Sequence, residues 1–311
     1  MKLYLTNSGG AAHSARLPCG NASAPGPRRI AVMPKLTDFT SYADAQREFA
    51  PAKLWDLFDG DRERLNIAHE CIDRHAGAGH PALIVAHADG ADEVLGFDAL
   101  AAWSSRFAHW LAARGVQAGD RVAVMLDPGV AFYTALFGAI KRGAIAVPMF
   151  TLFGRDGVRL RVQDCAPRLL ITNADKAQML AGESGPDIVV ADAEFLRTLE
   201  AHPAHYETTT RELPDAVKHT HRALVTLMVA ALYGTGLRPG DRFFCPSSPA
   251  WGHGLWHGTL APLALGITTG AYSGRFNAER LMRALQDHAF TNLSAAATPT
   301  ATSSTAAAPT T

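Results

Sequence analysis

The chain has little cysteine and no surplus of charge of either sign. Its four cysteines, Cys19, Cys71, Cys165 and Cys245, lie far apart and form no Cys-x-x-Cys pair. That excludes a dense disulfide framework and a sequence-adjacent metal knuckle, and it points to reduced thiols in a cytoplasmic protein. Lys+Arg and Asp+Glu both number 29, so no global charge favours nucleic acid or an anionic membrane. No apolar run reaches the ~18–20 residues that cross a bilayer, so no membrane span is expected. The opening residues MKLYLTNSGG are too short and polar to form the apolar centre of a secretory signal.

Periodic patterning is missing at both ends. Residues 7–35 are rich in Gly, Pro, Ala and Ser, and residues 1–35 are expected to be a disordered arm. Met33 stands where this character ends and is a candidate alternative start. From Ser294 onward the chain contains only Ala, Ser, Thr and Pro, so residues 295–311 read as a low-complexity tail.

Between these ends the chain nearly repeats itself. GVQAGDRVAVML begins at Gly115 and GLRPGDRFFCPS begins at Gly236, 121 residues later. Each copy follows a helical pattern, with Leu100, Trp103, Phe107 and Trp110 on one face in the first and Leu224, Leu227, Met228 and Ala231 in the second. Gly115 and Gly236 stop these helices, because glycine accepts the left-handed cap without steric cost. Each Gly-Asp-Arg then leads into a short apolar strand, VAVML or FFC. A helix follows (Val130–Ile140, or His253–Leu265), then a second strand, AIAVPM or GITTGAY. A more polar helix comes next (Arg155–Asp164, or Ala278–His288 with Asn277 as N-cap), and a third strand, RLLIT or FTNLS, closes the unit. Strands alternating with helices imply parallel sheets. The expected fold is α/β, with two related parallel-sheet subdomains over residues 36–205 and 206–294, the second incomplete.

These blocks carry a family likeness. GVQAGDRVAVML, FYTALFGAIKRGAIAVPMF and RVQDCAPRLLIT resemble the N-terminal part of the AMP-forming acyl-CoA synthetases, within the adenylate-forming superfamily. AWGHGLWHGTLAPLALGITTGAY resembles the segment that follows that family's phosphate loop. The resemblance implies ATP-dependent activation of a carboxylic acid to an acyl-adenylate, then thioester formation, with ATP, Mg²⁺ and coenzyme A as cofactors. It also implies phosphate contacts at Thr208, Thr209, Thr210 and Lys218, and an acyl pocket around Trp251, Gly252, His253 and Trp256.

Residues 206–224, YETTTRELPDAVKHTHRAL, depart from the family loop Thr-Ser-Gly-Thr-Thr-Gly-x-Pro-Lys. The exit half fits. The entry half reads EAHPAHYETT, with no strand signal and no glycine, as an internal deletion would leave it. Without glycine the backbone cannot readily take positive φ and turn its N–H groups inward. On the residues alone, an ordinary polar turn capping a helix fits this segment as well. The family's metal-binding glutamate, ribose-gripping aspartate and adenylation lysine have no counterpart, a pattern that a frameshift would produce.

Other motifs read as structure. His253 and His257 are one helical turn apart, but no glutamate follows His253, so no metal site is expected. Trp251 and Trp256 suit core as well as pocket. GAYSG places Ser273 one position late for a nucleophile elbow. RDGVRLRVQD reads as a solvated helix face, and Asp120 and Asp241 as turn residues. The expected activity is that of an acyl-CoA synthetase, impaired or absent in this chain. The alternative is a non-catalytic remnant that binds nucleotide or acyl ligand weakly, or pairs with another chain. Neither the acid nor the oligomeric state is legible.

Overall fold

Gly115 and Gly236 both take positive φ, +72° and +75°, and each ends its helix ahead of a Gly-Asp-Arg turn. The computed structural model describes residues 34–209 and 219–295. Nearly all of the expected arm, Thr210–Lys218, and the tail from residue 296 lie outside the described residues.

Among the described residues, nine strands form two sheets. They are β1 (Pro81–His87), β2 (Asp92–Gly96), β3 (Arg121–Met125), β4 (Ile145–Pro148), β5 (Leu169–Thr172), β6 (Asp187–Val190), β7 (Arg242–Phe244), β8 (Thr268–Ser273) and β9 (Asn292–Leu293). The first sheet runs β4-β3-β5-β6, with every pairing parallel. The second runs β2-β1-β8-β7-β9. Its β8-β7-β9 part repeats the order β4-β3-β5, with the Gly-Asp-Arg strand central in each copy. The sequence repeat is thus a repeat of sheet topology.

Two features extend the expected parallel pattern. β1 and β2 form an antiparallel hairpin, and β1 pairs in parallel with β8, so a strand from the first half of the chain stands beside one from the second. β6 adds an edge strand to the first sheet. β1 is apolar on both faces, as a strand buried between neighbours requires, and so shows no alternation in sequence.

Side-chain alternation assigns the layers. In β3, Val122 and Val124 face one large core, while Ala123 and Met125 face a second cluster with Val158. In β7, Phe243 joins the same large core and Phe244 faces a third cluster with Leu281 and Ala284. The helices Phe97–Ala113 and Val130–Lys141 pack on each other within the shared core. Arg155–Cys165 covers the far face of one sheet and Ala278–Asp287 the far face of the other. The Arg155–Cys165 helix buries only Val158, which leaves its arginines solvated as expected. Asn277 caps Ala278–Asp287, its side chain accepting from the Arg280 N–H at 3.0 Å.

Residues 201–209 contain no strand. The helix expected at His253–Leu265 is wider than α over His253–Leu260 and becomes α-helical only at Ala261–Ala264. A second π turn, Ala230–Thr235, ends the helix that begins at Ala223. Such turns are rare and cluster at functional sites.

Candidate functional site

The chain enters the suspected phosphate loop as a pinned strap. His109 Nε2 donates to the His205 carbonyl at 2.7 Å, and Arg142 donates to the Tyr206 hydroxyl at 3.3 Å. The Thr208 hydroxyl donates to Asp73 Oδ2 at 3.1 Å. The Thr209 N–H donates to the Lys141 carbonyl at 3.0 Å, and the Thr209 carbonyl accepts from Asn66 Nδ2 at 2.6 Å. Thr210 and Lys218, expected beside them, lie outside the described residues.

Lys141 closes this network from below. It ends an otherwise apolar helix, with its side chain 1% exposed. Its Nζ meets Asp73 Oδ1 at 2.5 Å, Ser105 Oγ at 3.0 Å and the Ala101 carbonyl at 3.0 Å. Burial pushes the Lys141 pKa down, and the Asp73 carboxylate opposes that shift. Asn66 also donates to the Ile140 carbonyl at 3.1 Å and caps the helix Ile67–Cys71. A cleft of roughly 620 Å³ lies alongside, lined by Asp59, Asp61, Glu70, Asp73 and Glu207 among others. Among the described residues, no group of three or more His, Cys, Asp or Glu is placed to hold a metal ion.

The second assembly is an imidazole- and indole-lined cleft between the helix Ala223–Val229 and the π turn His253–Leu260. It measures roughly 460 Å³ and is lined by His219, Leu227, Gly252, His253, Trp256 and His257, with small residues between. Three of the four residues expected around an acyl pocket, Gly252, His253 and Trp256, meet here. Trp251 does not line it: it is 62% exposed, and its ring packs 6.1 Å from Phe150. His219 stands edge-on to Trp256 at 4.9 Å, and His253 stacks on His257 at 5.5 Å. Burial, then the neighbouring His253, lowers the His257 pKa. His253 Nε2 is also hydrogen-bonded to Ser294 Oγ at 3.1 Å. Gly254 lets this helix pass against the strand exit, since a Cβ there would stand 2.2 Å from the Ser248 carbonyl.

Sequence reasoning missed Asn66, Asp73, Lys141 and His219. Lys141 carries a faint signal, a lysine in line with the buried face of VAFYTALFGAIK. The others act across the fold and carry none. Of the three described cysteines, Cys71 and Cys245 are buried and Cys165 is partly so, none is bonded to another, and burial raises the pKa of each thiol.

Residues 72–216 match the AMP-binding enzyme family. The acetyl-coenzyme A synthetase of Bacillus subtilis (strain 168) is 26% identical over 246 residues, 70% of this chain and 43% of that protein. The 3-hydroxybenzoate/4-hydroxybenzoate–CoA ligase of Thauera aromatica is 28% identical over 257 residues, 73% of this chain and 48% of that protein. The chain therefore spans about half the length of these curated relatives. A crystal structure of Brucella canis acyl-CoA synthetase superposes with a TM-score of 0.77 at 27% identity, covering 85% of this chain and 54% of that one. An anthranilate–CoA ligase in complex with anthranoyl-AMP shares the fold, with a TM-score of 0.66 at 19% identity. No helix among the described residues is long and apolar enough to cross a membrane. In its repeated parallel sheets and in residues 72–216, the chain is similar to the AMP-binding enzymes, the acyl-CoA synthetases among them.

Proposed function

We propose that this chain is the N-terminal part of an ATP-dependent carboxylic acid–CoA ligase, that it seats the acid, and that it adenylates it weakly or not at all. Similarity to this family implies ATP, Mg²⁺ and coenzyme A as reactants. The acid belongs in the cleft where Gly252, His253 and Trp256 meet His219 and His257, and this convergence is the observation that carries the reading. Its volume is within the range of small-molecule sites, and Trp256 offers an apolar face beside polar imidazoles.

The described residues do not fit a triphosphate. Adenylation sets a carboxylate against a polyanion, so the seat needs N–H donors and cations. The Thr208 hydroxyl and Thr209 N–H are bonded within the protein, with the Asp73 carboxylate beside them. Among the described residues, neither arginine nor lysine lines the imidazole cleft.

The test is a titration with acetate, a medium-chain acid and hydroxybenzoate, followed by tryptophan fluorescence. The expected result is a saturable change for one class of acid that is lost in Trp256→Phe. Absence of saturable binding by every acid, or an unchanged signal in Trp256→Phe, overturns the placement. A second reading, a non-catalytic remnant that binds an acyl ligand or a second polypeptide, is favoured by the same spent donors at Thr208 and Thr209.

A further inference from the structure

The strap at Thr208–Thr209 is held from three separate parts of the chain. Asn66 reaches it from the segment before the helix Ile67–Cys71, Asp73 from just after that helix, and Lys141 from the end of Val130–Lys141. Three hydrogen-bonding groups on the two threonines have protein partners here: the Thr208 hydroxyl, the Thr209 N–H and the Thr209 carbonyl. Gly143 completes the fit. Its φ is +75°, and a Cβ there would lie 3.1 Å from Thr209 Cγ2, so its bare backbone makes room for the threonine methyl.

We infer that Asn66, Asp73 and Lys141 are positioning residues that clamp the chain at Thr208 and Thr209, and that the Thr208 hydroxyl and the Thr209 N–H do not contact phosphate. The inference rests on the proposed ligase reading for its context, and it reassigns two residues that the family resemblance would place on the nucleotide. The physical reason is competition. A phosphate approaching Thr208 meets the Asp73 carboxylate, and it must also take the Thr209 N–H from a carbonyl in the buried network around Lys141. Lys141 holds that carboxylate in place, because among the described residues Asp73 alone supplies counter-charge to this cation, whose side chain is 1% exposed.

Two measurements on the full chain decide this. The first is amide hydrogen exchange at Thr209, compared with amides in β3, in the wild type, Thr208→Val and Thr208→Ser. The clamp predicts a protected Thr209 amide in the wild type, exchange about tenfold faster in Thr208→Val with β3 unchanged, and recovery in Thr208→Ser. A merely structural role would move β3 and Thr209 together, and an equal Thr209 rate in all three proteins overturns the clamp. The second is titration of the wild type with Mg·ATP, read at the Thr208 and Thr209 amide resonances. No saturable shift at either is expected, and saturable shifts at both overturn the reassignment. Neither readout depends on acid binding at Trp256, so failure of the clamp and failure of the ligase reading are separately visible.

Discussion

Asp120 and Asp241 make the same turn in two places. Asp120 accepts from the Gln117 N–H at 2.8 Å and Asp241 from the Arg238 N–H at 2.8 Å; each aspartate N–H returns a bond to the carbonyl of the same partner at 3.1 Å. This is the sequence repeat expressed as geometry, and it assigns both aspartates to folding. Asp120→Ala and Asp241→Ala should each cost about 1 kcal/mol in urea unfolding. The double variant should lose the sum, since the turns share no partner. Loss of acid binding with unchanged stability would contradict the assignment.

Gly143→Ala and Gly77→Ala form a matched pair. Both glycines have positive φ, +75° and +83°, so alanine at either position meets the left-handed cost of ~1–2 kcal/mol. Only at Gly143 would the new methyl also meet Thr209 Cγ2 and Ala118 Cβ, whereas nothing lies within 4 Å at Gly77. The denaturant midpoint should fall further for Gly143→Ala, and amide exchange at Thr209 should quicken in that variant alone.

The Asp73–Lys141 pair should be asymmetric. Removing Asp73 strands a cation whose side chain is 1% exposed, and Asp73→Ala should cost about 3 kcal/mol or more. Lys141→Met leaves a carboxylate that is 22% exposed on the wall of a cleft, where water can reach it, and it should cost less. Equal losses in chemical denaturation would count against this account of the pair.

His75 makes stability depend on pH. Burial, then the adjacent Arg74 guanidinium, lowers its pKa to about 4, and Arg74 Nε donates to His75 Nε2 at 3.3 Å. The unfolded state binds the proton more readily, so the neutral form's contribution is complete above about pH 6.5 and is lost as pH falls towards 4. His75→Gln keeps an acceptor and cannot titrate. Its stability should vary less with pH across this window, as read from thermal unfolding at a series of pH values; an unchanged slope would exclude His75 as the cause.

Local signals made the repeat readable. Glycine stops, the Gly-Asp-Arg turns and the Asn277 cap are set by residues a few positions apart, and the structure contains them where the sequence places them. The β1–β2 hairpin was not legible because β1 is buried on both faces and so lacks alternation. Nor was its pairing with β8, which depends on the folded arrangement alone. The two π turns escaped because their wider spacing departs from the 3.6-residue period used to find helices. At the site, His253 and Trp256 were visible from their aromatic and glycine-rich context. The Asn66–Thr209 contact was not, since it joins residues 143 positions apart with no mutual pattern.

ATP–pyrophosphate exchange by the intact chain, run across short, medium and aromatic acids, measures adenylation directly. Loss of one stabilising donor alone lowers turnover ~10²–10³-fold in enzymes that rely on such groups. With the Thr208 hydroxyl committed to Asp73 and the Thr209 N–H to the Lys141 carbonyl, the predicted rate is background for every acid. Acid-dependent exchange above background would contradict the account.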